Sequence, residues 1–148
     1  MAKFIFRLES LFQVKIKLEE QCKLEYGLAL AALEAEKQKK AAMEAQRQET
    51  LHSFKSKLAV AVDSEAFRQH NLFLDALKHR IHAQEKVIAK AEAFAEEKRL
   101  ALVEAMKERK TLEKLKETEY EEYLLEENKA EQKRVDAIVS YQFNRRSR

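Results

Sequence analysis

Val62-Asp63-Ser64-Glu65 is the stretch at which this chain can turn back on itself. Asp63 or Ser64 can cap a helix N-terminus by accepting a backbone N–H bond. Glu65 then falls in the first turn, where the helix dipole favours a negative charge. Ala59 to Val62, just before it, is weakly committed to helix at its β-branched positions. Little else punctuates the sequence: its 148 residues include no proline and a single glycine, Gly27. An average protein of that length carries roughly seven prolines and ten glycines. Without such breakers the chain runs as very long helices. The turn therefore sets the expected fold: all-α, a long two-helix antiparallel coiled-coil hairpin. The expected organisation is one coiled-coil domain over 1–148, with a first arm at about 3–61 and a turn at about 62–65. A second arm follows at about 65–142, then a basic tail at 143–148.

Composition agrees. Ala, Leu, Glu, Lys and Gln dominate, and all are strong helix formers. Hydrophobic residues make up 45% and charged residues 37%, a pairing typical of long helices. There is no Trp, and an Ala-rich apolar share buries little area per residue, so a thick core is not expected. The longest apolar runs, Leu28 to Leu33 and Leu58 to Val62, fall far short of a membrane span. Met1-Ala2-Lys3-Phe4 leads straight into the periodic pattern, so no signal peptide is expected. The lone Cys22 excludes an intramolecular disulfide and fits a reducing cytosol. A net charge of +3 is too small to point to nucleic acid.

Apolar periodicity differs between the arms. In the second, Phe67, Leu74, Ile81, Ile88, Ala95 and Leu102 repeat by seven. The companion position holds Leu77, Ala91, Ala105 and Leu112, but also His70, Gln84 and Lys98. This reads as an a/d seam and predicts left-handed supercoiling. In the first arm Phe4, Leu11 and Leu18 repeat by seven with Val14 between. Leu51 and Leu58 do so again around Phe54. The two stretches are out of heptad phase, which predicts a locally unwound, loosely packed Ala-rich middle. Arms of this size measure roughly 90 and 110 Å.

Folding back at 63–64 sets Phe4 near Tyr123 and leaves residues after about 125 without a partner. Val135, Ile138 and Val139 lie on that overhang with helical spacing, and an unpaired apolar strip marks a partner. Charge segregates there too. Glu117, Glu119, Glu121, Glu122, Glu126, Glu127 and Glu131 are opposed only by Lys129. Lys133, Arg134, Arg145, Arg146 and Arg148 then make the end basic. Such blocks mark either interaction ends or a solvated face with a frayed terminus. Leu72 and Phe73 stand apart from the seam at f and g positions, where they dock a partner or widen the core.

Catalytic and metal chemistry find little support. One glycine excludes a Gly-rich phosphate loop. His79 and His82 share a helix face, but zinc needs further ligands and a second shell. Glu49 and His52 echo half of a di-iron pair, and no second Glu-x-x-His occurs. His70 and the rest read as ordinary histidines, and Cys22 beside Leu18 as a small buried hydrophobe. The paired carboxylates lie on solvated faces without a cleft. The chain is expected to be non-enzymatic, with no cofactor and no metal.

Three segments resemble one family. Phe67-Arg68-Gln69-His70-Asn71-Leu72-Phe73-Leu74-Asp75-Ala76-Leu77-Lys78 resembles the opening of the second helix of FliJ proteins. These are small stalk components of the bacterial flagellar type III export apparatus. Lys3-Phe4-Ile5-Phe6-Arg7-Leu8-Glu9-Ser10-Leu11-Phe12 is similar to the family's N-terminus. Glu131-Gln132-Lys133-Arg134-Val135-Asp136-Ala137-Ile138 is similar to its ending. The motifs are degenerate helical ones, and it is their order and spacing that make the match.

The resemblance implies a cytoplasmic, non-enzymatic stalk, peripherally associated with the inner face of the cell membrane. It would insert the end carrying both termini into a hexameric flagellar export ATPase ring. It would couple that ring to the cytoplasmic domain of the export gate and assist recycling of export chaperones. The family's gate-binding positions match Phe73 and Leu77, with Leu72 beside them. His70 stands where many members have Tyr. Ring contact is expected from Arg134, Val135, Ile138, Arg145 and Arg146. The alternative is a generic adaptor coiled coil, such as a peripheral stalk or chaperone-like hairpin, that binds through its tip. Weaker alternatives are an iron-binding carboxylate bundle and a membrane-surface helix led by Phe4, Ile5 and Phe6.

Overall fold

The computed structural model describes residues 3–60 and 63–147. Two helices account for nearly all of them: α1, Glu9–Leu58, and α2, Ser64–Arg146. The fold is the all-α one expected, without a strand among the described residues. Val62 of the expected turn lies outside the described residues, as do Met1, Ala2 and Arg148. Asp63 is the cap that is used. Its Oδ1 accepts the Glu65 N–H at 3.1 Å, and its carbonyl accepts the Phe67 N–H at 3.0 Å. Lys55 and Lys57 close the last turn of α1, where cations favour the dipole.

The outer boundaries depart from the expected arms. Residues 3–8 are not helical: Phe4 turns aside to pack on α2 aromatics and Phe6 to lie against Phe12 and Lys116, rather than continue a helix that aromatic and β-branched residues favour weakly. At the other end α2 continues to Arg146, through residues expected in the basic tail. Arg145 and Arg146 in its last turn suit the dipole.

By internal contacts the chain forms two compact units, Met1–Glu20 with Glu104–Arg148, and Gln21–Val103. Within Gln21–Val103, α1 and α2 run antiparallel. Glu25 meets Lys98, Glu36 meets Gln84 and Phe54 meets Phe67. On α2 the expected seam is the one formed. Leu77, Ile81, Gln84 and Ala95 are buried, with Leu74, Ile88, Ala91, Lys98 and Leu102 half-buried between them. The polar interruptions have partners. Gln84 Nε2 donates to the Glu36 carbonyl at 2.9 Å and to its carboxylate at 2.6 Å. Lys98 pairs with Glu25 at 3.3 Å, and His70 lies 4.9 Å from Phe54, ring to ring.

Within the other unit the same antiparallel sense holds. Glu9 pairs with Lys116 at 2.8 Å, Lys15 with Glu108 at 2.9 Å, and buried Glu19 with Arg109. Arg109 also holds Glu113 at 2.5 Å, so its guanidinium bridges two carboxylates. The residues before α1 close the pair. Phe4 sits 5.2 Å from Tyr120 and 5.5 Å from Tyr123, the placement expected from folding back at Asp63. Phe6 is buried, 6.5 Å from Phe12, with the Lys116 ammonium over both rings.

On α1 the structure corrects the sequence reading. Leu11, Val14 and Leu18, expected in the seam, are exposed. The seam lies one residue on, at Phe12, Lys15 with Ile16, and Glu19. Counting by seven from Phe12 and Glu19 reaches Tyr26, Leu33 and Lys40, then exposed Arg47, then Phe54, all but Arg47 half-buried. No phase break is present. It arose from choosing the most apolar residues, whereas the seam admits Lys15, Glu19, Glu36 and Lys40 because cross-helix partners neutralise them.

Gly27, the expected site of a bend, lies within α1 with no positive φ. A Cβ there would meet nothing within 4 Å. Gly27→Ala should stabilise the chain by roughly 0.5–1 kcal/mol by restricting the unfolded backbone. Thermal circular dichroism should show a rise of about 1–4 °C.

Hydrogen bonds along α1 and across to α2 also depress carboxyl pKa values. Glu9 is lowered by Lys116 and then Gln13, Glu25 by Gln21 and then Lys98, and Glu36 by Gln84 and then Lys39. The unfolded chain then takes up protons first as pH falls, so these groups stabilise the fold at neutral pH and lose that effect in acid. The melting temperature should decline from about pH 5 downward. A flat profile between neutral and acid pH would contradict these pairings.

Candidate interaction sites

Each unit presents exposed apolar side chains at the sites expected from sequence. In the unit that contains the C-terminal part of α2, helix pairing ends near Tyr123. From Asn128 to Ser147 every residue is exposed. Val135, Val139 and Phe143 follow one another at intervals of four, with Ile138 beside them, so they share one helix face. They are 45%, 57%, 71% and, for Ile138, 57% exposed. Arg134 flanks this face and pairs with Glu131 at 3.6 Å, while Arg145 and Arg146 end the helix. The five residues expected to bind a ring, Arg134, Val135, Ile138, Arg145 and Arg146, thus occupy one exposed segment. Sequence reasoning missed Phe143 and Tyr141, the most exposed large apolar residues of the segment. The interval of four from Val135 carried the signal for Phe143, which had been assigned to a tail.

The second strip lies in the unit that holds the turn. Leu72 is 62% and Phe73 42% exposed. They line separate shallow grooves. Leu72 borders one with Arg47, Arg68, Asp75 and Lys78, and Phe73 borders one with Gln46, Glu49, Ser53 and His70. Leu77, named both as a seam residue and as a family gate position, takes the seam place that its heptad position gives it. At 1% exposure it is the most buried large side chain described, closed inside the seam. A d position faces the opposite helix, and that geometry overrides any surface role. Leu77 acts by fixing the helix turn that presents Leu72 and Phe73.

His79 meets Asp75 at 3.9 Å and His82 meets Glu85 at 3.7 Å, all exposed. Among the described residues no group of three His, Cys, Asp or Glu could hold a metal ion. Cys22 is half-buried on the seam side of α1. Among the described residues no helix is long and apolar enough to cross a membrane.

Helix pairs with polar-laced seams and uncovered apolar strips define an all-α protein of paired long helices. The flagellar FliJ protein family matches residues 4–148. The chain therefore belongs to that family, a structural component of the flagellar export apparatus and not a known family of enzymes. No curated protein and no solved structure matches it.

The burial contrast yields a direct test. Leu72→Ala and Phe73→Ala should each change stability by no more than about 0.5 kcal/mol. Leu77→Ala should cost about 2–3 kcal/mol through lost packing and a cavity. Urea unfolding followed by circular dichroism separates the two classes.

Proposed function

We propose that this protein is the stalk-like coupling component of the flagellar export apparatus. Arg134, Val135, Ile138, Arg145 and Arg146 engage a hexameric export ATPase ring. Leu72 and Phe73 contact the cytoplasmic domain of the export gate. The protein assists recycling of export chaperones and is held at the inner face of the membrane through these partners.

The observation that carries this reading is the exposed segment of α2 beyond Asn128. A lone helix about 10–12 Å across is narrow enough to enter a ring's pore, which a helix pair fills less readily. Its apolar face would gain from burial there, and its terminal arginines suit an acidic lining. Coupling then requires contacts that differ between ring states, and one helix face with mixed charge and apolar groups can supply them. The family membership supports the same setting.

A chain ended at Ala130 removes the segment and leaves the paired helices intact. It should retain its helical circular dichroism while losing stimulation of the export ATPase. Stimulation equal to that of the full chain would overturn the ring assignment.

A further inference from the structure

Charge reverses across the apolar strip at the uncovered end of α2. Val135 and Ile138, 45% and 57% exposed, stand at the middle of that strip. Glu127 and Glu131 precede them, and Arg145 follows them on the same flank of the helix. At 3.6 residues per turn Glu127, Arg134 and Arg145 fall within about 20° of one another, with Glu131 between that line and the strip. Glu131 also meets Arg134 at 3.6 Å, a contact within one helix that leaves both side chains more than half exposed. The flank is therefore acidic before the strip and basic after it.

A helix with this pattern is complementary to a copy of itself running the other way. A two-fold axis across the pair sets each flank against the same flank of the second copy. With Val135 placed against Ile138 of the second copy, Arg145 falls opposite Asn128 of that copy, between its Glu127 and Glu131. Symmetry makes this contact twice. Arg134 comes beside exposed Tyr141 of the second copy, where a guanidinium can stack on the ring. Ser147 falls opposite Glu126, so the overlap keeps to the part of α2 beyond Tyr123, where helix pairing ends.

We propose that the end of α2 is a self-association site, which pairs antiparallel with the same segment of a second copy. Parallel pairing is disfavoured, because it sets Glu127 on Glu127 and Arg145 on Arg145. An anionic lipid surface is disfavoured by the two carboxylates that border the strip. The antiparallel pair closes on itself and stops at two copies. Two strips of about 20 residues make a small interface, so the pairing is weak and concentration-dependent. It covers the side chains proposed above for the ring, so the two contacts exclude each other. The pairing is read from the chain alone and stands without the ring contact.

Sedimentation velocity of the full chain at roughly 5 to 200 μM should show a monomer passing to a dimer. Added salt should weaken the dimer. Ile138→Asp should weaken it about tenfold or more. Glu127→Arg and Arg145→Glu should each weaken it several-fold. The two reversals combined in one chain should restore the affinity to within about twofold, since each copy then offers the swapped pair. Far-UV circular dichroism should show parental helicity in every variant. A monomer throughout the range, a dimer that Ile138→Asp leaves unchanged, or a double reversal no better than the singles would overturn the proposal. No ATPase enters the measurement, so its outcome is separate from that of the ring assignment.

Discussion

A mismatch in length governs this molecule. α1 has 50 residues and α2 has 83, joined by a short link. In an antiparallel pair each residue of α1 covers about one of α2, so part of α2 must run on without a helical partner. The residues before α1 add only a little cover, through Phe4 and Phe6 against Tyr120, Tyr123 and Lys116. Everything after Asn128 is exposed as a consequence. Its apolar side chains find no cover within that unit.

Within each unit the seam is thin and unusually polar. Arg109 with Glu19 and Glu113 and Lys15 with Glu108 occur in one, and Gln84 with Glu36 and Lys98 with Glu25 in the other. Buried or half-buried charges add little net stability, because desolvation offsets attraction. Their stronger effect is on register, since a slip would strand a buried carboxylate such as Glu19 without its guanidinium. Ala29, Ala95 and Ala105 at other seam positions let the helices approach closely. This division of labour frees the larger apolar residues, Leu11, Val14, Leu18, Leu72 and Phe73, for the surface.

The family assignment gives these surfaces a setting in flagellar export. A component that works by contact needs faces that remain unsatisfied in its own fold, held by elements that do not bend. Long helices without proline meet both needs.

The sequence alone determined that the chain is helical, where it reverses and which face of α2 is buried. Those features rest on local physics: the absence of breakers, the capping geometry of Asp63, and a seven-residue repeat from Leu74 to Leu112. It also placed Phe4 by Tyr123 and left the end of α2 uncovered, because antiparallel pairing is a matter of counting. Tertiary structure alone decided the face of α1. There the most apolar row, Leu11 with Val14 and Leu18, lost the seam to Phe12, Lys15 and Glu19, since only the latter have complementary charges waiting on α2. Hydrophobicity shows that a residue gains from burial, but the partner across the seam determines whether that burial occurs.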